Sequence, residues 1–282
     1  MDKFPNRNEL RILFSHSAYQ MAHCFTLRST GISHSQAWTS EETKAQLSSA
    51  DVLVISGFWQ NEYLDQAGRL RYIQSIGAGY DQFPLDTLKA RSISLANATG
   101  VNADAVSHHA MGLILALYRQ LHTGRDNQKR KTWRSMISDI SMREDDLCGH
   151  TVLIVGLGAI GNRLAALSKA FGMTVIGVKR NIDGYRGPAD EVVPPQEFSD
   201  QLARADVVVL CCPLTDQTRE LMNDHTFRAM KQSAYLVNVA RGGCVDEPAL
   251  LSALTQDIIS GAAIDHFNDE PLPASSPFWA FE

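Results

Sequence analysis

Short apolar, β-branched runs alternate along this chain with stretches whose apolar residues recur at helical spacing. In the first half, Arg11–Ser15, Asp51–Ser56, Arg71–Ile76 and Ser92–Ala96 read as strands. In the second half, Thr151–Val155, Thr174–Val178, Asp206–Cys211, Ala234–Val239 and Ala262–Asp265 do the same. Strands that alternate with helices predict parallel sheets joined by right-handed crossovers, so an α/β chain with two such sheets is expected. Between the halves, residues 102–121 (NADAVSHHAMGLILALYRQL) predict a buried linker helix capped by Asn102 or Asp104. The stretch GRDNQKRKTWR, followed by REDD, reads as a solvated helix or turn, with a dimer contact as the sharper alternative.

Composition narrows the partners. With 282 residues the chain is long enough for two cores, and 44% hydrophobic with 20% charged residues is ordinary for a soluble globular protein. A formal net charge of -5 argues against a nucleic-acid binder, because phosphate contacts need clustered cations. Cys24, Cys148, Cys211, Cys212 and Cys244 are odd in number and lack CxxC spacing, which predicts reduced thiols, no metal site and a cytoplasmic location. The polar start MDKFPNRNEL predicts no secretory signal, and no run of 18 uncharged apolar residues predicts a membrane span.

The clearest chemistry lies in TVLIVGLGAIGNRLAALSKAF, where Gly156, Gly158 and Gly161 form GxGxxG between a strand and a helix. Gly156 permits the tight turn, Gly158 lets the backbone approach a pyrophosphate, and Gly161 lets helix and strand pack closely. Free N–H groups at Ala159 and Ile160 would add to the helix dipole in holding the anion. An NAD enzyme usually carries Asp or Glu about 20 residues on, to hold the ribose 2′-hydroxyl. Lys179, 18 residues after Gly161, is no carboxylate, and with Arg180 it suits a 2′-phosphate. NADP is therefore the preferred cofactor expected, with NAD as the alternative.

Five further motifs carry a resemblance: YIQSIGAGYDQFPLDTL, ATGVNADAV, VVVLCCPLTDQTRELMN, MKQSAYLVNVARGGCVDEPAL and SGAAIDHFNDEPLP. Together they resemble the D-isomer-specific 2-hydroxyacid dehydrogenases, glyoxylate and hydroxypyruvate reductases among them, from about Asp51 onward. The resemblance implies a Rossmann doubly wound parallel sheet plus a smaller flavodoxin-like α/β substrate domain. Residues 1–98 would form the substrate domain and residues 99–282 the dinucleotide-binding domain. It further implies a homodimer that passes hydride between NAD(P)H and a small 2-keto acid. The family's catalytic Arg falls on Arg241, whose planar fork of donors suits a carboxylate and a carbonyl oxygen. The carboxylate that partners the family's proton-donating His falls on Glu270. Gly77, Ala78 and Gly79 match the loop whose backbone N–H groups hold the substrate carboxylate. Pro213, Ala240 and Asp265 match cofactor-side positions, Asp265 near the nicotinamide carboxamide.

The family's catalytic His follows the EP-L-P segment in a pattern like TPH, and the chain stops before it, at SSPFWAFE. Among its nine histidines, His266 stands where the family usually has Val and reads as a variant strand-end residue. His108 and His109 stand where the family often has Glu-His. A truncated product or gene fragment with impaired turnover is expected, its Phe278, Trp279 and Phe281 exposing aromatic surface. A dinucleotide-binding sensor or corepressor without turnover is the alternative of a different class.

Overall fold

The computed structural model describes residues 4–140 and 143–281, so the first three residues of the polar start and the last residue of the aromatic tail lie outside it. The chain divides into two units, Met1–Val101 and Asn102–Glu282.

In the first unit, β1 (Arg11–Ser15), β2 (Ser33–Ala37), β3 (Val52–Ile55), β4 (Tyr72–Ser75) and β5 (Ser94–Ala96) form a parallel sheet in the order β2-β1-β3-β4-β5. This is the flavodoxin-like order. Leu13, Leu53, Ile55 and Ile73 are at most 1% exposed and meet helix residues Leu47 of α2 (Ser40–Leu47) and Leu88 of α3 (Leu85–Ala90). The short α1 (Met21–Thr26) buries no residue.

In the second unit, β6 (Thr151–Val155), β7 (Thr174–Val178), β8 (Glu191–Val193), β9 (Val207–Leu210), β10 (Tyr235–Asn238) and β11 (Gly261–Ile264) form a parallel sheet ordered β11-β10-β9-β6-β7-β8. Counted within the unit from the β8 edge this is 3-2-1-4-5-6, the doubly wound Rossmann order. Alternate strand residues serve opposite faces, as the period of two requires. Leu153, Ile176, Val208 and Leu236 join the cluster that holds Phe227 of α8 (Asp224–Ala229) and Leu250 of α9 (Glu247–Thr255). Val152, Ile154, Val175 and Val209 join Ile114 of α4 (Ala103–Tyr118) and Leu164 of α6 (Ala159–Ala170) on the other face.

Both sheets use one aspartate, buried Asp51 or half-buried Asp206, to tie neighbouring strands that lie apart in the sequence. Asp51, next to β3, accepts from the Arg11 N–H of β1 at 3.0 Å and from Arg69. Asp206, next to β9, accepts from the Thr151 N–H of β6 at 2.8 Å and from Lys231 Nζ at 2.7 Å. Burial pushes the Asp206 pKa up, but these donors and His150 outweigh it and hold the carboxyl below its ordinary range.

Some expectations need correcting. The edge strands β2 (SHSQA) and β8 (EVV) escaped the pattern because one is polar and the other only three residues long. The linker helix is not continuous through residue 121. It ends at Tyr118, Gln120 turns left-handed with φ of 47°, and α5 (Leu121–Arg130) begins a new helix that buries nothing. The apolar periodicity that held α4 down stops where Arg119 and Gln120 begin. Asn102 stands at the cap position but makes no side-chain cap bond, and its buried Oδ1 has no hydrogen-bond partner. Of the terminal aromatics, Phe278 packs on Phe267 with ring centroids 5.2 Å apart, while Trp279 is 64% exposed and Phe281 41%. Among the described residues no helix is long and apolar enough to cross a membrane.

Candidate active site

The strand β6 runs into the glycine turn, and each glycine meets a different constraint. Gly156 has φ of +102°, and a Cβ there would lie 2.9 Å from the Cys212 backbone. A Cβ on Gly161 would strike the Gly156 carbonyl oxygen at 2.1 Å, so α6 can leave the sheet this closely only without one. Gly158 has no heavy atom within 4 Å of the position a Cβ would take, which leaves room for an approaching phosphate. The N–H groups of Gly158, Ala159 and Ile160 meet no acceptor among the described residues.

A cavity of about 390 Å³ opens beside this turn. Gly156, Gly158, Lys179, Arg180 and Pro213 line it, together with Gln217, which the sequence did not single out. Burial pushes the Cys211 thiol up to about 12, and a hydrogen bond to Cys244 with burial raises Cys212 further. Both wall thiols are thus neutral and set no charge against a bound phosphate. Lys179 departs from its expected direction. Its Nζ donates to the Leu157 carbonyl at 3.1 Å, so it braces the turn, while the neighbouring Arg180 is exposed. Asn162 braces the same carbonyl at 3.2 Å and accepts from Tyr185 Oη at 2.7 Å. Asn162 and Tyr185 are 23 residues apart, so no local signal joined them. These glycines, N–H groups and cations fit a dinucleotide.

A second group gathers where β10 and β11 end. The side chain of Asn238 is fully buried, and it donates to the Arg241 carbonyl at 2.9 Å and accepts from the Ala240 N–H at 3.0 Å. Its own carbonyl takes the Asp265 N–H at 3.0 Å. A Cβ on Gly242 would lie 2.2 Å from the Phe267 carbonyl carbon, so the loops that carry Arg241 and Glu270 interlock backbone to backbone. Glu270 Oε1 accepts from His266 Nδ1 at 2.9 Å and from the Phe267 N–H at 3.2 Å. Asp265 Oδ1 pairs with His109 Nε2 at 3.2 Å. The structure therefore brings Ala240, Arg241, Asp265 and Glu270 to one end of one sheet. The partnership of His266 with Glu270 was missed, although its spacing of four residues was visible.

In the first unit the Gly77 and Gly79 carbonyls accept from Ser75 Oγ at 3.2 and 3.3 Å, and the Ala78 carbonyl from Asn97 at 2.6 Å. With the carbonyls so held, the three N–H groups have no acceptor among the described residues. No cluster of three or more metal-ligating side chains exists among the described residues.

Residues 111–282 match the family model for the NAD binding domain of D-isomer specific 2-hydroxyacid dehydrogenases, well over half of the chain. The chain belongs to this family. The matched region is its NAD-binding domain. A glyoxylate reductase of Thermofilum pendens is 34% identical over 226 residues, which are 78% of this chain and 65% of that enzyme. A D-3-phosphoglycerate dehydrogenase of Methanocaldococcus jannaschii is 33% identical over 85% of this chain and 45% of its own length. The chain thus spans about two thirds of the first of these relatives and under half of the second. A family member of known structure from Aeromonas salmonicida superposes with a TM-score of 0.82 at 32% identity, covering 96% of this chain and 86% of that one. Both of these curated relatives carry enzyme names, and neither supports the non-catalytic alternative.

Proposed function

We propose that this chain binds NADPH in preference to NADH and reduces a small 2-keto acid, glyoxylate or hydroxypyruvate, at an impaired rate. The observation that carries this reading is the interlock at Gly242, which keeps the Arg241 and Glu270 loops together in the same unit as the glycine turn. A reduced nicotinamide cofactor, held by the glycine turn after β6, would supply the hydride. As hydride reaches the carbonyl carbon, the C=O π pair moves to oxygen, and a proton from water completes the hydroxyl. Arg241 holds the substrate carboxylate and stabilises the developing alkoxide through its guanidinium donors. Glu270 is the carboxylate that partners the proton donor. Gly77, Ala78 and Gly79 bind the substrate carboxylate through their backbone N–H groups, with residues 1–98 as the substrate domain.

The cofactor preference rests on Lys179, not a carboxylate, directly after β7 and on exposed Arg180 beside the cavity. On the nicotinamide side, Ala240 and Asp265 are the proposed contacts. The protein is proposed to act in the cytoplasm, as five free thiols suggest. It is proposed to work as a homodimer, supported by Trp133 and Met136, which are 97% and 100% exposed beside α5. Arg241→Ala should lower kcat/KM by about 10²-fold or more while NADPH affinity stays within two-fold. The measurement is NADPH oxidation with each keto acid, beside a fluorescence titration of the cofactor. Full activity in Arg241→Ala would overturn the assignment.

A further inference from the structure

We infer that His266 is a positioning residue for Glu270, an inference that rests on the keto-acid reductase reading above. Glu270 is 54% exposed at its side chain, and a glutamate so free in solvent would sample many rotamers. Here it does not hang free. Oε1 accepts two hydrogen bonds, from His266 Nδ1 at 2.9 Å and from the Phe267 N–H at 3.2 Å. Oε2 has no partner among the described residues and is the oxygen left open. The imidazole thus selects which carboxylate oxygen works.

His266 is itself confined. Its Nε2 lies 3.7 Å from Asp265 Oδ2, and the other oxygen of Asp265 pairs with His109 of α4. Asp265 is fixed in turn by the bond from its N–H to the buried Asn238. The groups therefore run His109, Asp265, His266, Glu270, from a helix across the end of β11 to the working carboxylate. A valine at position 266 would supply neither the donor to Oε1 nor the contact with Asp265. The chemistry needs only one N–H at the Nδ1 position, so an asparagine, whose Nδ2 falls close to that place, should serve in its stead.

Three measurements on the full chain test this. His266→Val should lower kcat about ten-fold or more with KM and NADPH affinity within two-fold, since a displacement of about 1 Å can cost 10²-fold. His266→Asn should recover most of that loss. Without any turnover, the nitrogen-15 resonance of His266 Nδ1 should change in Glu270→Ala, because its hydrogen-bond acceptor is gone. Unchanged kcat in His266→Val, equal losses in Val and Asn variants, or an unmoved resonance would each overturn the proposal. If the wild-type chain binds NADPH but reduces neither keto acid, the functional reading fails. The resonance then still decides whether the pair exists, supporting the pairing if it moves and overturning it if it does not.

Discussion

The two units answer the same folding problem and diverge at one place. Each has a parallel sheet with its first strand in the interior, and each ties that strand to a neighbour that follows later in the chain with an aspartate, the buried Asp51 between β1 and β3 or the half-buried Asp206 between β6 and β9. The difference lies where the first strand ends. After β6 come three glycines and a twelve-residue helix whose opening N–H groups face open space. After β1 come a six-residue helix that buries nothing and a hollow lined by Phe14, Met21 and Phe25, with Arg28 at its side. The same architecture therefore makes an anion site in one unit and an apolar hollow in the other. The residues that follow the first strand set the difference at that end.

The sharpest way to break this comparison is to add one methyl group to each unit. Gly161→Ala would drive a Cβ into the Gly156 carbonyl oxygen, and overpacking of that kind costs about 1–3 kcal/mol or more. NADPH affinity should fall at least ten-fold with a lower Tm. In Gly77→Ala the new Cβ would meet Ser56 Oγ at 3.5 Å and Ser75 Oγ at 4.0 Å, ordinary contacts, so melting temperature and NADPH affinity should both hold. Equal damage in the two variants would show that the glycine turn is not special.

The aspartate ties come next. Asp206→Asn should cost about 1.5–3 kcal/mol at neutral pH, the range for hydrogen bonds to a charged group, as measured by denaturant unfolding. The Asp206 pKa is depressed in the fold, so this contribution is present above the usual carboxylate range, about pH 4, and is lost as pH falls through the folded value. Wild type and variant should therefore converge in acid. A gap that persisted at low pH would point to packing and not charge. Arg180→Ala has the smallest expected effect, about ten-fold weaker NADPH with NADH unchanged. Arg28→Ala, its counterpart at the first unit's hollow, should alter neither.

Legibility followed locality. Interior strands such as β6 and β9 were plain because both faces are buried and the run is continuously apolar. The glycine turn was equally plain, since its three requirements fall within six residues. What stayed hidden depends on rotamers and on loops folding back. Lys179 looked like a phosphate ligand, yet its ammonium reaches the Leu157 carbonyl of the turn. His266 looked like an idle variant, and only the curl of the loop from Asp265 to Glu270 sets its ring on the carboxylate. Asn238 gave no sign at all, although it organises the Arg241 and Asp265 loops from inside the core.

The strand order also has a kinetic meaning. β7 pairs with β6 across 23 residues, with Thr151 opposite Thr174, whereas β9 pairs with β6 across 55, Val152 opposite Val207. Loop closure favours the shorter span, so β6, α6 and β7 should be the first piece of the second sheet to form, with the glycine turn already inside it. A nucleotide-ready loop would then exist before the Arg241 end of the sheet is assembled. Pulsed hydrogen exchange during refolding should find the amides of Val152–Val155 and Val175–Val178 protected before those of Leu236–Asn238. For such a chain, cofactor could act on the order of folding as well as on its end point.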